Sequence, residues 1–221
     1  MTDLRETPDA FSISIVGAAL QDDPQWLLDR CGSVGASEIK DLVRKTSTIA
    51  KRAKLKAKKV VERLTGKPVE GYQSQAMLEG KQKEPLARAA YELKEGYPVK
   101  EVGVVLHPTI KGTHASPDGL VGDDAVLEIK CPEHAAHLAT LLERKLNPDY
   151  YTQVQWQMAC TGRNWAHFVS YHPDFPPAMQ LFIDHIPRDD DMIEMLEREV
   201  RAFLEELDQD IKALQRTYGD P

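Results

Sequence analysis

Three residues carry the densest chemical signal in the chain: Asp118, Glu128 and Lys130. Glu128 and Lys130 lie two apart in a segment of alternating polarity, Leu127-Glu128-Ile129-Lys130, so on a strand both side chains leave the same face. Asp118 lies in Pro117-Asp118-Gly119, a turn signal read here as closing the preceding strand. If the two strands are neighbours, two carboxylates and an ammonium meet at one place. Paired carboxylate oxygens suit Mg²⁺ or Mn²⁺, hard cations that keep several waters. A lysine beside them can orient or deprotonate an attacking water and offset charge on a pentacoordinate phosphate. Held in this way, a metal pair stabilises both oxygens of a phosphodiester displacement. Taken alone, the same residues also fit an ordinary turn and a solvated strand face.

Elements must bring these residues together. Residues 125–130 read as a strand, and so do 99–106, 164–171 and 179–186. Residues 76–95 read as a helix, with Met77, Leu86, Ala90 and Leu93 as candidates for burial. Further helices are expected at 134–146 and 149–160. A final one spans about 189–216, with Ile193, Leu196, Val200, Leu204, Leu207, Ile211 and Leu214 as its apolar stripe. Near the front, Trp26 to Arg30 suits a short helix ended by Gly32. Gly35-Ala36-Ser37-Glu38 reads as a turn into a helix with Ser37 as N-cap. Residues 51–59 are a basic run, either a solvated helix or a mobile loop, and 1–25 show no readable element.

Composition narrows the class. The 221 residues carry a net charge of −7, at first sight a poor match to a nucleic-acid protein. The charge is segregated: residues 40–67 carry +9, the rest of the chain −16, and residues 184–221 alone −7. Such asymmetry suits a chain that offers one basic face to a polyanion. No apolar run approaches the roughly 20 residues of a membrane span, and the N-terminus lacks a signal-peptide pattern. Cys31, Cys131 and Cys160 are isolated, which fits a reducing cytoplasm better than disulfides or a cysteine zinc site. His134 and His137 could share a helix face, but no third zinc ligand accompanies them in the sequence, and they read as exposed or supporting residues. Trp156 and Trp165 read as core, and Trp26 as packing beneath a pocket near Arg30. A single α/β domain is expected over 1–221, with residues 40–67 as a basic insertion.

Several ordered blocks resemble the lambda-exonuclease (viral recombinase) family of the PD-(D/E)xK nuclease superfamily. They are Trp26, Arg30, Gly32 and Ala36-Ser37-Glu38; Gly80-Lys81-Gln82-Lys83-Glu84; Ser116-Pro117-Asp118-Gly119-Leu120; Leu127 to Pro132; and Tyr150-Tyr151-Thr152-Gln153-Val154-Gln155. The resemblance runs from about residue 26 to residue 186. It implies a restriction-endonuclease-like core, a central mixed β-sheet flanked by α-helices. It implies two Mg²⁺ per site, with Mn²⁺ able to substitute, held by Asp118, Glu128 and the Ile129 carbonyl. Lys130 would be the catalytic lysine, with Glu84 at the same site and Gln153, rather than Gln155, positioning the scissile phosphate. Arg30 and Ser37 would hold a 5′-terminal phosphate, a role that a helix N-terminus and a planar guanidinium both suit. Residues 40–67 would be a DNA-facing arm. The activity implied is 5′-to-3′ digestion of double-stranded DNA ends, releasing mononucleotides and leaving 3′ single-stranded tails. A homotrimeric ring and a single-strand annealing protein as partner complete the expectation. An endonuclease on the same core, and a non-catalytic DNA-end-binding protein, are the alternative readings.

Overall fold

The computed structural model describes residues 13–16, 23–43, 49–69 and 74–219. Its centre is a five-stranded mixed sheet in the order β3-β6-β7-β8-β9, formed by Val99–Lys100, Gly119–Val121, Ala125–Lys130, Trp165–Tyr171 and Leu181–Pro187. β7 and β8 are parallel, with Glu128 opposite Phe168 and Lys130 opposite Ser170, and the other pairs are antiparallel. A smaller sheet has the order β1-β4-β5-β2, from Ile15–Val16, Val104–Leu106, Thr113–Ala115 and Val34–Gly35.

Helices cover both faces of the larger sheet. α3 (Gln75–Glu95) packs on the face that carries Leu127, Ile129 and Val169. α5 (Pro148–Thr161) packs on the other, with Val126, Ala166 and Phe168, and buries Trp156 completely. Strand alternation therefore sends Glu128 and Lys130 toward α5 and the apolar pair toward α3. α1 (Pro24–Asp29) and α4 (His134–Glu143) are short. α2 (Ile49–Thr65) lies beside α6 (Asp190–Tyr218), whose Ile193, Leu196, Val200, Phe203, Leu204 and Leu207 are buried in the main core.

The structure corrects several expectations. The strand expected at 99–106 is two strands, β3 and β4, which belong to different sheets. On α3, Met77, Leu86 and Leu93 are exposed, while Ala87 and Tyr91 face the sheet. Ala87 and Tyr91 join the cluster of Leu127, Ile129 and Val169, which sets the helix phase there. Trp165, expected in the core, is 43% exposed at the start of β8. Leu214 on α6 is also exposed. Residues 51–59 are helical, as part of α2.

The cations of α2 face the acids of α6. Arg52 donates two bonds of 2.7 Å to the Glu206 carboxylate, Lys56 lies 2.8 Å from Asp210, and Arg63 lies 2.8 Å from Asp208. Much of the +9 found in the sequence is thus matched within the chain. Residues 44–48, part of the same basic stretch, lie outside the described residues.

Candidate active site

Asp118 stands one residue before β6, so Pro117-Asp118-Gly119 opens a strand rather than closing one. Its N–H donates to the Leu127 carbonyl at 3.0 Å, and its Oδ2 accepts from the Ile129 N–H at 2.6 Å. The β6–β7 pairing, with Gly119 opposite Leu127, carries Asp118 to the level of Glu128.

Glu128 is 1% exposed. Burying a carboxylate costs several kcal/mol unless its oxygens are matched. Here they are. Oε1 accepts from Gln153 Nε2 at 2.6 Å and lies 2.5 Å from Lys130 Nζ, and Oε2 accepts from Gln157 Nε2 at 2.5 Å. Gln153 and Gln157 are one turn apart on α5, so both reach the strand. Gln155 points elsewhere, donating to the Pro187 carbonyl and accepting from the Asp189 N–H, each at 2.9 Å. Gln157 is the residue that the sequence reading missed. Its signal was the i+4 spacing from Gln153. The Lys130 ammonium also lies 5.2 Å from the centre of the Tyr150 ring.

Glu84 comes from α3, one turn before Ala87 on the sheet-facing side. With Lys130, Ile129 and Trp26 it lines a cleft of about 420 Å³. Burial, then the nearby Glu128 and Glu84, push the Asp118 carboxyl well above the usual carboxylate range, against the pull of Lys130. Burial likewise raises Glu84, with Lys130 opposing. For Lys130, burial acts downward, but Glu128 and Asp118 outweigh it and hold the ammonium above its ordinary range. Three carboxylates against one ammonium leave a site short of positive charge. A hard divalent cation fits that donor set.

A second cavity, also of about 420 Å³, is lined by Arg30, His114, Lys58 and Lys59 among others. The Arg30 guanidinium lies 3.9 Å over the Trp26 ring, and Trp26 Nε1 donates to Ser116 Oγ at 2.9 Å, two residues before Asp118. Arg30 Nε donates to His114 Nε2 at 3.0 Å, and His114 Nδ1 pairs with Ser33 Oγ at 2.8 Å. Burial, then the Arg30 and Lys59 charges, hold His114 well below the usual imidazole range, so it is neutral and can accept. Lys58 and Lys59 line the cavity but are paired with Glu38 and Glu62 at 3.1–3.9 Å. Arg30 is the cation left in surplus there.

Ser37 is not the helix cap. The turn is a 3₁₀ helix, Ala36–Asp41, capped at Gly35, whose N–H donates to Glu38 Oε2 at 2.9 Å, and Ser37 is exposed. Glycine suits that position because a Cβ there would lie 3.0 Å from His114 Nε2 and 3.2 Å from Arg30 Nη2. The structure thus gathers Asp118, Glu128, Ile129, Lys130, Glu84 and Gln153 at one cleft and Arg30 beside it. Ser37 lines neither cavity.

A mixed sheet flanked by helices, with Asp and Glu-x-Lys on adjacent strands above a cleft, defines a nuclease core of the PD-(D/E)xK type. The YqaJ-like viral recombinase domain matches residues 25–164. The chain belongs to that family, the lambda-exonuclease-like alkaline exonucleases, and is a nuclease of that kind. It is 44% identical to LHK-Exo, an alkaline exonuclease from Laribacter hongkongensis, over 88% of this chain and 97% of that one, with a TM-score of 0.84. A structure of LHK-Exo in complex with dAMP matches with the same values. A phage-related exonuclease from Haemophilus somnus 129PT shares the fold at 16% identity and a TM-score of 0.65, over 82% of this chain and 96% of that one. No curated protein matches the chain. No helix among the described residues is long and apolar enough to cross a membrane.

Proposed function

We propose that the chain is a Mg²⁺-dependent exodeoxyribonuclease acting on double-stranded DNA from a 5′-phosphorylated end. It digests one strand 5′ to 3′, releases mononucleotides and leaves a 3′ tail for single-strand annealing recombination. The observation that carries the reading is the buried carboxylate set short of positive charge, with Arg30 held near it. Trp26, which lines the cleft of Glu84 and Lys130, carries the Arg30 guanidinium over its ring and donates to Ser116, two residues before Asp118. A relative that binds dAMP supports a mononucleotide product. Two Mg²⁺ ions at Asp118, Glu128 and the Ile129 carbonyl, with Mn²⁺ able to replace them, supply charge stabilisation for the attacking and leaving oxygens. Gln153 and Gln157 hold Glu128 in place. Lys130 aligns water and offsets charge at phosphorus, and Glu84 holds a solvent contact at the cleft wall. Arg30, steered by His114, grips the terminal 5′ phosphate. A homotrimeric ring, a single-strand annealing partner and a cytoplasmic location belong to the same reading.

The test compares linear duplexes bearing 5′ phosphate or 5′ hydroxyl with a covalently closed circle, in Mg²⁺ or EDTA. The expected outcome is rapid loss of the phosphorylated duplex in Mg²⁺, slower loss of the hydroxyl form, and survival of the circle and of all EDTA samples. Rapid cutting of the circle would point to an endonuclease instead. Undiminished digestion by Lys130→Ala would sink the assignment of the site.

A further inference from the structure

Away from the catalytic cleft, the described residues bring together another set of metal-ligating side chains. His134 opens α4, and His172 and Asp174 follow β8. Each offers one ligand atom, and the three atoms lie within 4.8 Å of one another. His134 Nε2 is 3.4 Å from Asp174 Oδ2. Adjacent donors around a tetrahedral zinc, with bonds of about 2.0–2.1 Å, stand roughly 3.4 Å apart, so this pair already has the spacing. The His134 and His172 rings lie 4.0 Å apart, centroid to centroid. His172 is buried and anchored edge-on against Phe175 at 5.4 Å, whereas the His134 and Asp174 side chains are exposed and free to close on it.

Other groups nearby are committed. His137 uses both ring nitrogens, on Ser170 Oγ and the Met179 carbonyl, each at 2.8 Å. It therefore braces α4 against the chain around β8 and β9 and is not a ligand. A metal on His172 Nδ1 would displace only a long, 3.3 Å contact from the Asp174 N–H.

We propose that His134, His172 and Asp174 form a site for one transition-metal ion of the Zn²⁺ class, separate from the catalytic cations. Two imidazoles and one carboxylate select a borderline ion over Mg²⁺, which prefers oxygen ligands. Three protein ligands leave a fourth position for water. The site ties the first residue of α4 to the segment leaving β8. α4 starts just after Pro132 and Glu133, which line the catalytic cleft, so the ion would stiffen one of its walls.

The experiment titrates Co²⁺, as a visible stand-in for Zn²⁺, into the chelator-stripped full chain under saturating Mg²⁺. Binding is read by absorption and by equilibrium dialysis. The wild type is expected to take one Co²⁺ per chain, displaced by Zn²⁺. His134→Ala and Asp174→Asn are expected to weaken binding tenfold or more, and Asp118→Asn to leave it unchanged. Both altered ligand side chains are 67–69% exposed, so their loss does not threaten the fold. No Co²⁺ uptake by the wild type, uptake that survives both ligand variants, or uptake lost in Asp118→Asn would each overturn the proposal.

Discussion

Glu128 is defined as much by its donors as by its own charge. With Gln157→Leu, Oε2 loses the glutamine donor at 2.5 Å while the volume stays similar. Removing such a support weakens metal binding by about 10–100-fold. A stranded buried acceptor costs about 1–3 kcal/mol of stability. Gln157→Leu is therefore expected to raise the Mg²⁺ concentration for half-maximal digestion by at least about tenfold and to lower the urea midpoint. Gln155→Leu is expected to lower the urea midpoint alone. Mg²⁺ titration of the two variants side by side checks the distinction. Much of this site was legible in the chain. A turn, an alternating strand and a resemblance were enough to group Asp118, Glu128, Lys130 and Gln153. Gln157 was not legible, because the resembling block ends at Gln155 and helix phase alone does not say which face of α5 meets the strand. The cap was misplaced to Ser37 because the crowding of His114 and Arg30 around Gly35 has no local signature.

At the level of elements, α2 and α6 form one charged seam. The composition showed a basic front and an acidic end, but not that they touch: Arg52 and Glu206 are 154 positions apart. The few apolar residues of α2 made helix and loop equally readable, and its partner settles the matter by supplying acids along one side. Partly exposed pairs of this kind contribute about 0–1 kcal/mol each. Arg52→Gln with Lys56→Gln is expected to lower the melting temperature slightly, less so in high salt. It is expected to leave the salt dependence of DNA digestion unchanged. A salt slope reduced by about two would instead show that both cations meet phosphates. Very short strands explain the other element-level errors. β1, β2 and β5 have two or three residues each, too few for alternation to show, and so the second sheet was invisible in the sequence.

The whole molecule carries several imidazoles that folding keeps neutral. His167 is held down to about 4 by burial and the facing His185, against the pull of Glu95, while Tyr91 pairs with its Nδ1. His114 is held lower than usual as well. The unfolded chain protonates His167 near 6.5, and the folded one does not until about 4. Between those values the unfolded state binds more protons, so this contribution to stability is lost as pH falls through the window. Asp118 and Glu84 pull the other way, since a raised carboxyl pKa favours the folded state as pH falls. The difference in melting temperature between wild type and His167→Gln isolates the histidine. It is expected to shrink steadily from pH 6.5 to about 4, and a constant difference would contradict the assignment. The α2–α6 seam has one more effect, on how the chain is made. At about 5–20 residues per second, roughly ten to thirty seconds of translation separate Arg52 from Glu206. Through that interval Arg52, Lys56 and Arg63 have no α6 carboxylates to face, so the seam closes only after Glu206, Asp208 and Asp210 have been made.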